Sequence, residues 1–241
     1  MIVSPLVSLT MRSPHSKGPR SKPVDRITIH CVVGQASAES IGCWFQRETP
    51  KHSCNYGVGV DGRIVCCVPE EEQSICSSSS ANDSRAITIE AASDTTEPYA
   101  VNNAVYDSII KLCVDICTRY DKRRIVWIPD KATALAYTPA DDEMLFTAHR
   151  WFANKSCPGT YLFDRLGEIA DRANRKLEGV DRMYDNIFDV PDWAQPTVIK
   201  LADRGALQGD GRGFALSYEM VRILVMLDRL GVFDDVENSL D

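Results

Sequence analysis

The chain has 241 residues, 44% of them hydrophobic and 25% charged, which is ordinary for a globular protein with one large domain or a medium and a small one. Its net charge of −7 argues against electrostatic binding to nucleic acid, and no apolar run approaches the ~20 residues that cross a membrane. The first twenty residues are not typical of a secretory signal, because their apolar stretch is short, is interrupted by Pro5 and is followed by basic residues. We therefore expect a protein that stays in a cytosol until something releases it.

The first half of the chain predicts mainly strands. Residues 1–25 are expected to form an irregular arm rich in Ser, Pro and Lys. Apolar, β-branched runs predict strands in "RITIHCVVG" (26–34), on both sides of an Asp61-Gly62 hairpin turn in "NYGVGVDGRIVCCV" (55–68), and in "RAITIEAAS" (85–93). A polar loop is expected at 76–84, and apolar residues at helical spacing predict a helix over 104–120.

The next segment adds strands and a helix. "RRIVWIP" (123–129) predicts a further strand, and "EMLFTAH" (143–149) predicts a strand that ends near His149. An amphipathic helix after Gly159 is indicated by the spacing of Leu162, Leu166, Ile169, Ala173 and Leu177. Strands that alternate with helices predict an α/β domain with a mixed, twisted β-sheet flanked by helices.

The C-terminal region differs from the rest in charge. We expect a larger domain over 1–178, a linker over 179–186 and a small, mainly helical domain over 187–241. In that domain a helix is expected to end at Gly205, a "GDGRG" turn follows, and a second helix begins after Ser217 as its N-cap. Residues 181–241 contain 12 Asp and Glu against 6 Arg and Lys, so nearly all of the excess negative charge lies here.

The nine cysteines do not follow the spacing of a small disulfide-bonded domain. Cys66 and Cys67 are adjacent, and Cys113 and Cys117 are one helical turn apart. We interpret most of the nine as reduced, buried thiols of a cytosolic protein. Cys31 is expected to point away from the preceding histidine and to join the core.

One stretch combines the side chains that zinc prefers. His149 and Cys157 lie eight residues apart in "HRWFANKSC", and a catalytic zinc site needs three such ligands and one open position. Of the other histidines, His15 lies in the arm and His52 in a polar loop, whereas His30 ends a buried strand that can hold a ligand in place. We therefore predict His30, His149 and Cys157 as metal ligands.

Each of these residues also has a structural interpretation when it is taken alone. A single histidine on a strand is more often a satisfied structural residue than a ligand. A single cysteine is more often a small hydrophobic residue of the core. Lys155, two residues before Cys157, would then be a solvated surface lysine.

Four segments in this order resemble the zinc-dependent N-acetylmuramoyl-L-alanine amidases: "ITIHCVVG", "NYGVGVDGRIVCCVPE", "SRAITIE" and "TAHRWFANKSCPG". This family includes the phage lysozyme-type amidases and the peptidoglycan recognition proteins, and the resemblance covers roughly residues 24–177. It implies a peptidoglycan recognition protein-like fold, one Zn²⁺ per catalytic domain and cleavage between N-acetylmuramic acid and L-alanine. The chain is also similar to endolysins of phages and prophages of clostridia-like Gram-positive bacteria.

The resemblance implies roles for individual residues. His30, His149 and Cys157 match the zinc ligands of the family. Lys155 matches its catalytic lysine and would stabilise the oxyanion of the tetrahedral intermediate. The zinc ion would lower the pKa of a bound water toward ~7 and polarise the scissile carbonyl.

Two further residues are candidates for proton transfer. Glu90 matches an acidic residue that many members carry, and is expected to take a proton from the water and give one to the leaving amine. Tyr56 matches the tyrosine that opens the hairpin strand and would share that role or orient the water. Taken alone, Glu90 would face solvent and Tyr56 would be a packed strand aromatic. Asn55 replaces the histidine that many members have before this tyrosine.

Expectations for the substrate and the tail are less direct. Trp44, Asn82 and Trp151 are expected to line a groove for glycan and stem peptide, although such aromatics more often serve packing. The tail is similar to a single S-layer-homology-like motif with "LSYEM" in place of the usual "ITRAE". It suggests attachment to a secondary wall polymer or self-association, and the alternative is a helical cap on the catalytic domain. Its negative charge gives no attraction to anionic wall polymers.

Two functions from different classes fit these patterns. The first is an endolysin-type amidase that lyses bacterial walls, with peptidoglycan as its partner and neither nucleic acid nor membrane. The second is a non-catalytic peptidoglycan-binding protein on the same fold. Cys157 favours the amidase, because recognition-only relatives generally lose this cysteine. A structural zinc site is a third option, but it would need a fourth protein ligand, and none is apparent.

Overall fold

A seven-stranded mixed sheet flanked by helices forms the larger of two units in the computed structural model. The structure describes residues 2–179, 183–209, 211 and 213–234, and the two units divide between Leu177 and Glu178. Among the described helices, none combines the length and the apolar composition that crossing a membrane requires.

The elements of the first unit follow the predicted α/β pattern. Its strands are β1 (Val7–Thr10), β2 (Arg26–Cys31), β3 (Tyr56–Val58), β4 (Ile64–Cys66), β5 (Ala86–Ala91), β6 (Arg124–Val126) and β7 (Glu143–Ala148). Its helices are α1 (Ala38–Phe45), α2 (Ser80–Asp83), α3 (Asn103–Arg119), α4 (Lys131–Ala136), α5 (Gly159–Phe163) and α6 (Leu166–Leu177), with a 3-10 turn at His149–Trp151. The strand order is β1-β4-β3-β5-β2-β7-β6, and only the β3–β4 pair is antiparallel among these strands. The predicted mixed sheet flanked by helices is therefore confirmed.

The side chains of the central strands are apolar on one face of the sheet and include polar groups on the other. β2 and β5 pair in parallel so that Ile29 lies beside Ile89 and His30 lies beside Glu90. The isoleucines face the main core with α3 and α6, and α1 packs on the opposite face. Because side chains alternate along a strand, a register shift of one residue would bury His30 in the main core. The pairing therefore places His30 and Glu90 together at one end of the sheet.

The predicted hairpin is confirmed, because β3 and β4 pair across the Asp61-Gly62 turn. Gly62 has φ +81°, and a Cβ atom there would lie 2.8 Å from the Ser108 hydroxyl oxygen. Glycine is thus required both by the backbone conformation and by the close approach of α3.

The prediction of an irregular N-terminal arm is wrong for Val7–Thr10. These residues form β1, which pairs in parallel with β4 and becomes the edge of the sheet. The arm continues along the sheet, with the Met11 and Ser13 amides donating to backbone carbonyls at 2.9 and 2.8 Å. An exposed edge strand leaves backbone N–H and C=O groups unpaired and open to pairing with other chains. The arm covers the edge that β4 would otherwise expose.

Two other local predictions need correction. The polar loop at 76–84 contains the short helix α2, whose N-cap Ser79 accepts a hydrogen bond from the Asn82 amide. The single helix expected after Gly159 is divided into α5 and α6. Its apolar residues face the same core on both sides of the division, so their spacing did not reveal the break.

The second unit is mainly helical, as predicted. It contains β8 (Met183–Tyr184), β9 (Leu216–Ser217), α7 (Gln195–Asp203), α8 (Tyr218–Arg229) and a 3-10 turn at Ile187–Asp189. Ser217 caps α8 by accepting a hydrogen bond from the Met220 amide, and Gly205 has φ +69° just after α7. The two-residue β8–β9 pair was not predicted, because it is too short to show a period of two. Parts of the predicted linker (180–182) and of the "GDGRG" turn (210 and 212) lie outside the described residues.

Candidate metal centre

The structure brings the three predicted metal ligands together. His30 lies near the end of β2, and His149 follows directly after β7, the neighbouring parallel strand. The ligand atoms of His30, His149 and Cys157 all lie within 4.8 Å of one another. Cys157 Sγ is 3.4 Å from His30 Nδ1, and the two imidazole centroids are 5.0 Å apart.

The chemical state of these side chains fits a metal ion. Burial, and then the nearby His149, hold the pKa of His30 well below its usual value, so this imidazole is neutral at pH 7. Burial, and then the charge of Lys155, also lower the pKa of His149. Neutral imidazole is the form that binds zinc. The buried Nε2 atom of His30 has no hydrogen-bond partner among the described residues, as expected of a ring placed for something other than packing.

Cys31 lies beside this cluster, contrary to the expectation that it points away into the core. It lines the cavity next to the cluster, and the interaction with its thiol, followed by burial, raises the pKa of Cys157. A cation has to displace the proton of Cys157 in order to bind there. Cys31 is the last residue of β2, where the alternation of a regular strand no longer determines the direction of the side chain.

Glu90 lies next to the cluster on the neighbouring strand. Its Oε1 atom is 4.0 Å from His30 Nδ1 and accepts a hydrogen bond from Cys76 Sγ at 3.6 Å. Its Oε2 atom is buried and has no partner within the described part of the chain. Burial is the main cause that raises the pKa of Glu90 well above its usual value. A buried carboxyl group of this kind is suited to proton transfer near neutral pH.

Lys155 lies on the loop that joins His149 to Cys157. Its side chain is exposed and lines the same cavity as Glu90. No carboxylate of the described residues forms an ion pair with it. Its ammonium group is therefore available to an anion that enters the cavity.

Trp44 is placed in this cavity as well. The cavity has a volume of about 700 Å³ and extends from Glu90 and Lys155 to the end of α1. There the Trp44 ring is 41% exposed, donates from Nε1 to His52 Nε2 at 3.0 Å, and has the Arg47 guanidinium 4.4 Å from its centroid. An open aromatic ring beside a cation provides a surface on which a polar ligand can pack.

Sequence reasoning missed His52 and two residues of the polar loop at 76–84. Ser78 Oγ is 3.0 Å from His149 Nε2, and Cys76 contacts Glu90. A run of four serines after a cysteine carries no periodic signal, so the sequence alone did not place this loop at the metal centre.

Tyr56 does not reach the metal centre, and its predicted catalytic role is wrong. It pairs with Ile89 rather than with Glu90, so its side chain lies on the apolar face of the sheet. There its hydroxyl donates to Glu70 Oε1 at 2.5 Å and accepts from the Ser4 amide at 2.9 Å. Asn55, the preceding residue, faces the other way, and its amide donates to Val68 O at 3.0 Å and accepts from the Thr88 amide at 3.1 Å.

The expected substrate contacts of Asn82 and Trp151 are also wrong. Asn82 is buried, and its amide group bonds Thr28 at 2.9 Å and Thr147 at 3.1 Å, which ties α2 to β2 and β7. Trp151 is 6% exposed and stacks on Trp127 with a centroid distance of 5.3 Å. Both side chains support the centre from the interior.

We expect Tyr56→Phe to reduce stability and to leave activity per folded molecule unchanged. The change removes the only described partner of the Ser4 amide, and such a loss in a buried site costs about 1–3 kcal/mol. Glu70 keeps its ion pair with Arg119. Urea denaturation and specific activity check this, with Tyr137→Phe as control because it removes a hydroxyl that also donates to a carboxylate, that of Glu143, at a partly exposed position. Lost activity at unchanged stability would restore a catalytic role for Tyr56.

Comparison with known protein families identifies the family of this chain. Residues 20–160 match the family model described as N-acetylmuramoyl-L-alanine amidase. The sequence matches none of the curated proteins.

Several solved structures are similar to part of this chain. A mutant endolysin from Bacillus subtilis is 17% identical with a TM-score of 0.48, and the match covers 70% of this chain and 98% of that one. The endolysin N-acetylmuramoyl-L-alanine amidase LysCS from Clostridium intestinale is 17% identical with a TM-score of 0.47, over 70% of this chain and 97% of that one. A selenomethionine derivative of AmpD is 18% identical with a TM-score of 0.49, over 70% and 99%.

Proposed function

Because the chain belongs to the N-acetylmuramoyl-L-alanine amidase family, we propose that it is a zinc-dependent, endolysin-type peptidoglycan hydrolase. It cleaves the amide bond between N-acetylmuramic acid and L-alanine in bacterial cell walls. The observation that carries this proposal is the convergence of His30, His149 and Cys157 next to Glu90, which lines a cavity together with Lys155. A protein that only bound peptidoglycan would not need this combination.

The three ligands account for the metal requirement. One thiolate and two neutral imidazoles form a typical three-ligand catalytic zinc set, which would leave one position for a water. A zinc ion held there supplies a water of lowered pKa and a Lewis acid for the scissile carbonyl. The rigid ends of β2 and β7 hold two of the ligands in a fixed geometry.

Glu90 is the residue that moves protons. Burial alone favours its neutral form, whereas a nearby cation favours the carboxylate. With both present, Glu90 accepts a proton from the attacking water and holds it until the leaving amine of L-alanine takes it. Its Oε2 atom, which lacks a hydrogen-bond partner within the described residues, is free to make this contact.

Lys155 stabilises the negative charge that develops on the carbonyl oxygen. Its ammonium group lies close enough to His149 to affect the pKa of that ligand, and it lines the cavity together with Glu90. A positive charge that is already in place when the oxyanion forms lowers the barrier without reorganisation. We therefore assign proton transfer to Glu90 and stabilisation of the oxyanion to Lys155.

Trp44 contacts the substrate away from the reacting bond. We expect Trp44→Ala to raise KM about tenfold, a loss of ~1.4 kcal/mol in binding, with kcat nearly unchanged. Trp151→Ala provides the contrast, because removing this packed ring costs about 3–5 kcal/mol of stability. Steady-state kinetics on soluble muropeptides and urea denaturation separate the two effects. An unchanged KM in Trp44→Ala would exclude the proposed contact.

Mass spectrometry of purified peptidoglycan after digestion tests the reaction itself. The proposal predicts new stem peptides with a free N-terminal L-alanine and glycan strands without peptides. Protein that binds the walls and leaves every stem peptide attached would instead support a non-catalytic peptidoglycan-binding protein. New reducing ends on the glycan would indicate a different bond and would contradict the proposal.

The biological setting extends this proposal. We infer a phage or prophage endolysin of a clostridia-like Gram-positive host, with a catalytic domain over 1–178, kept in the host cytoplasm until it reaches the wall. The domain at 187–241 would attach to a secondary wall polymer or associate with a second copy. Its exposed apolar side chains, such as Phe188 and Leu230 at 86% and 75% exposure, support a contact role for this domain.

A further inference from the structure

A second group of metal-binding side chains overlaps the first. The ligand atoms of His30, Cys76 and Glu90 also lie within 4.8 Å of one another. His30 belongs to both groups, whereas Cys76 and Glu90 belong only to the second. Cys76 has no part in the reaction proposed above, so its position beside Glu90 needs its own explanation.

The contacts within this group leave donor atoms without partners. Cys76 Sγ is 3.6 Å from Glu90 Oε1, which in turn is 4.0 Å from His30 Nδ1. Glu90 Oε2 and His30 Nε2 are both buried without a hydrogen-bond partner in the described part of the chain. Buried polar atoms of this kind are rare and indicate a ligand that satisfies them. A cation would satisfy the Glu90 carboxylate, whose Oε2 atom has no hydrogen-bond partner in the described part of the chain.

The position of Cys76 is held by its own loop. The Cys76 amide donates to Asp83 Oδ2 at 3.0 Å, and the Ser77 amide donates to Asp83 Oδ1 at 3.1 Å. Asp83 belongs to α2, so this helix fixes the cysteine against the sheet. Glu90 lines the cavity, which gives an ion access to this group.

We propose that Cys76 and Glu90, with His30, form a second metal-binding position for a thiophilic divalent cation such as Zn²⁺ or Cd²⁺. Thiolate, carboxylate and imidazole are the donors that such cations accept, and the thiol proton is released to solvent when the ion binds. We refer to this group as the inhibitory position, because an ion there takes the Glu90 carboxylate as a ligand.

Occupation of the inhibitory position stops hydrolysis. A coordinated Glu90 no longer accepts a proton from water, and an ion that takes His30 Nδ1 as a ligand removes that atom from the catalytic group. This consequence rests on the proposed function, whereas the binding of the ion does not. Zinc is therefore needed at low concentration and inhibits in excess.

The test uses the full chain and Cys76→Ser, with Cys43→Ser as the matched control, because Cys43 is an exposed thiol on α1. Enzyme loaded with one zinc ion per chain is titrated with Cd²⁺, and cadmium–thiolate charge-transfer absorption is recorded. Cadmium–thiolate absorption should increase in wild type and in Cys43→Ser, and this increase should be absent in Cys76→Ser. In parallel, Cys76→Ser should require at least about tenfold more Zn²⁺ for inhibition, since loss of one donor weakens a metal site by that factor or more.

The two readouts separate this inference from the proposed function. Equal cadmium absorption in wild type and Cys76→Ser would overturn the inhibitory position. An absorption difference in a protein that cleaves no peptidoglycan would support the position and remove the proposed function. Equal inhibition by zinc in all variants, with an absorption difference, would overturn the inhibitory effect. Glu90→Gln provides a second variant, which should also reduce cadmium binding while it keeps the side-chain volume.

Discussion

The variants Cys157→Ala and His149→Ala should lose both bound zinc and hydrolysis. Each removes one of three donors, and the two that remain do not hold the ion in a fixed geometry. Altering a residue that only supports a metal ligand already lowers metal affinity or activity by about 10–100-fold. Loss of a ligand should therefore lower kcat/KM by at least about 10³-fold. Elemental analysis of the purified protein and the release of stem peptides from walls measure the two losses.

The control for these variants is Cys43→Ala. This change removes an exposed thiol on helix α1, which carries none of the three proposed ligands. It should keep one zinc ion and full activity. Full activity on purified walls in Cys157→Ala or His149→Ala would remove these residues from the catalytic site. Thermal unfolding should show that the variants remain folded, because the main core lies on the other face of the sheet.

Glu90→Gln should lower kcat and leave the zinc content unchanged. Glutamine has the size and shape of glutamate, so the contact with Cys76 and the pairing of β2 with β5 can persist. The amide accepts no proton from water, and loss of general acid–base catalysis costs about 10²–10⁴-fold. Kinetics with soluble muropeptides, combined with elemental analysis, distinguish this effect from loss of the metal.

The surface variant Glu168→Gln, on α6, controls for the removal of a carboxylate elsewhere. It should behave as wild type. If Glu90→Gln kept wild-type kcat, the proton would have to move through another group and the assignment of Glu90 would fail. If it lost zinc as well as activity, Glu90 would be a ligand of the catalytic ion and not its proton acceptor.

The positions of His30 and His149, two of the proposed metal ligands, could be predicted because they lie at the ends of strongly patterned strands. The apolar run before His30 and the run before His149 each indicate a buried strand, and parallel neighbours end at the same edge of a sheet. The two histidines are therefore expected at the same edge of the sheet. Cys157 follows His149 by only eight residues, so it has to lie near that edge as well. Glu90 was assigned from the resemblance to the amidase family, and the structure places it beside His30 because β5 is the other neighbour of β2.

Tyr56 shows what strand pattern alone does not determine. It lies one residue before Gly57, the register partner of Glu90, and a difference of one residue reverses the face of the sheet. The sequence indicates that β3 exists but not which of its residues pairs with Glu90. Asn82 and Trp151 were misplaced for a related reason, since the burial of side chains in loops and short helices depends on packing between distant segments.

The short elements were missed because they contain too few residues to show a period. The four residues of β1 lie in a segment rich in Pro and Ser, and the strand exists because β4 offers a free edge. The pairing of β8 with β9 involves only two residues from each strand. Cys76 likewise reached the metal centre through the hydrogen bonds of Asp83 and not through any pattern in its own loop.

Restoration of the metal-free enzyme with zinc tests the central claim most directly. The full chain is treated with a chelator, the chelator is removed, and zinc is added in steps below and above one ion per chain. The release of stem peptides with a free N-terminal L-alanine is followed by mass spectrometry at each step. Activity that is absent at the start and rises in proportion to zinc up to one ion per chain is the predicted result. Undiminished cleavage by the metal-free protein, or no recovery with zinc, would contradict a zinc-dependent amidase.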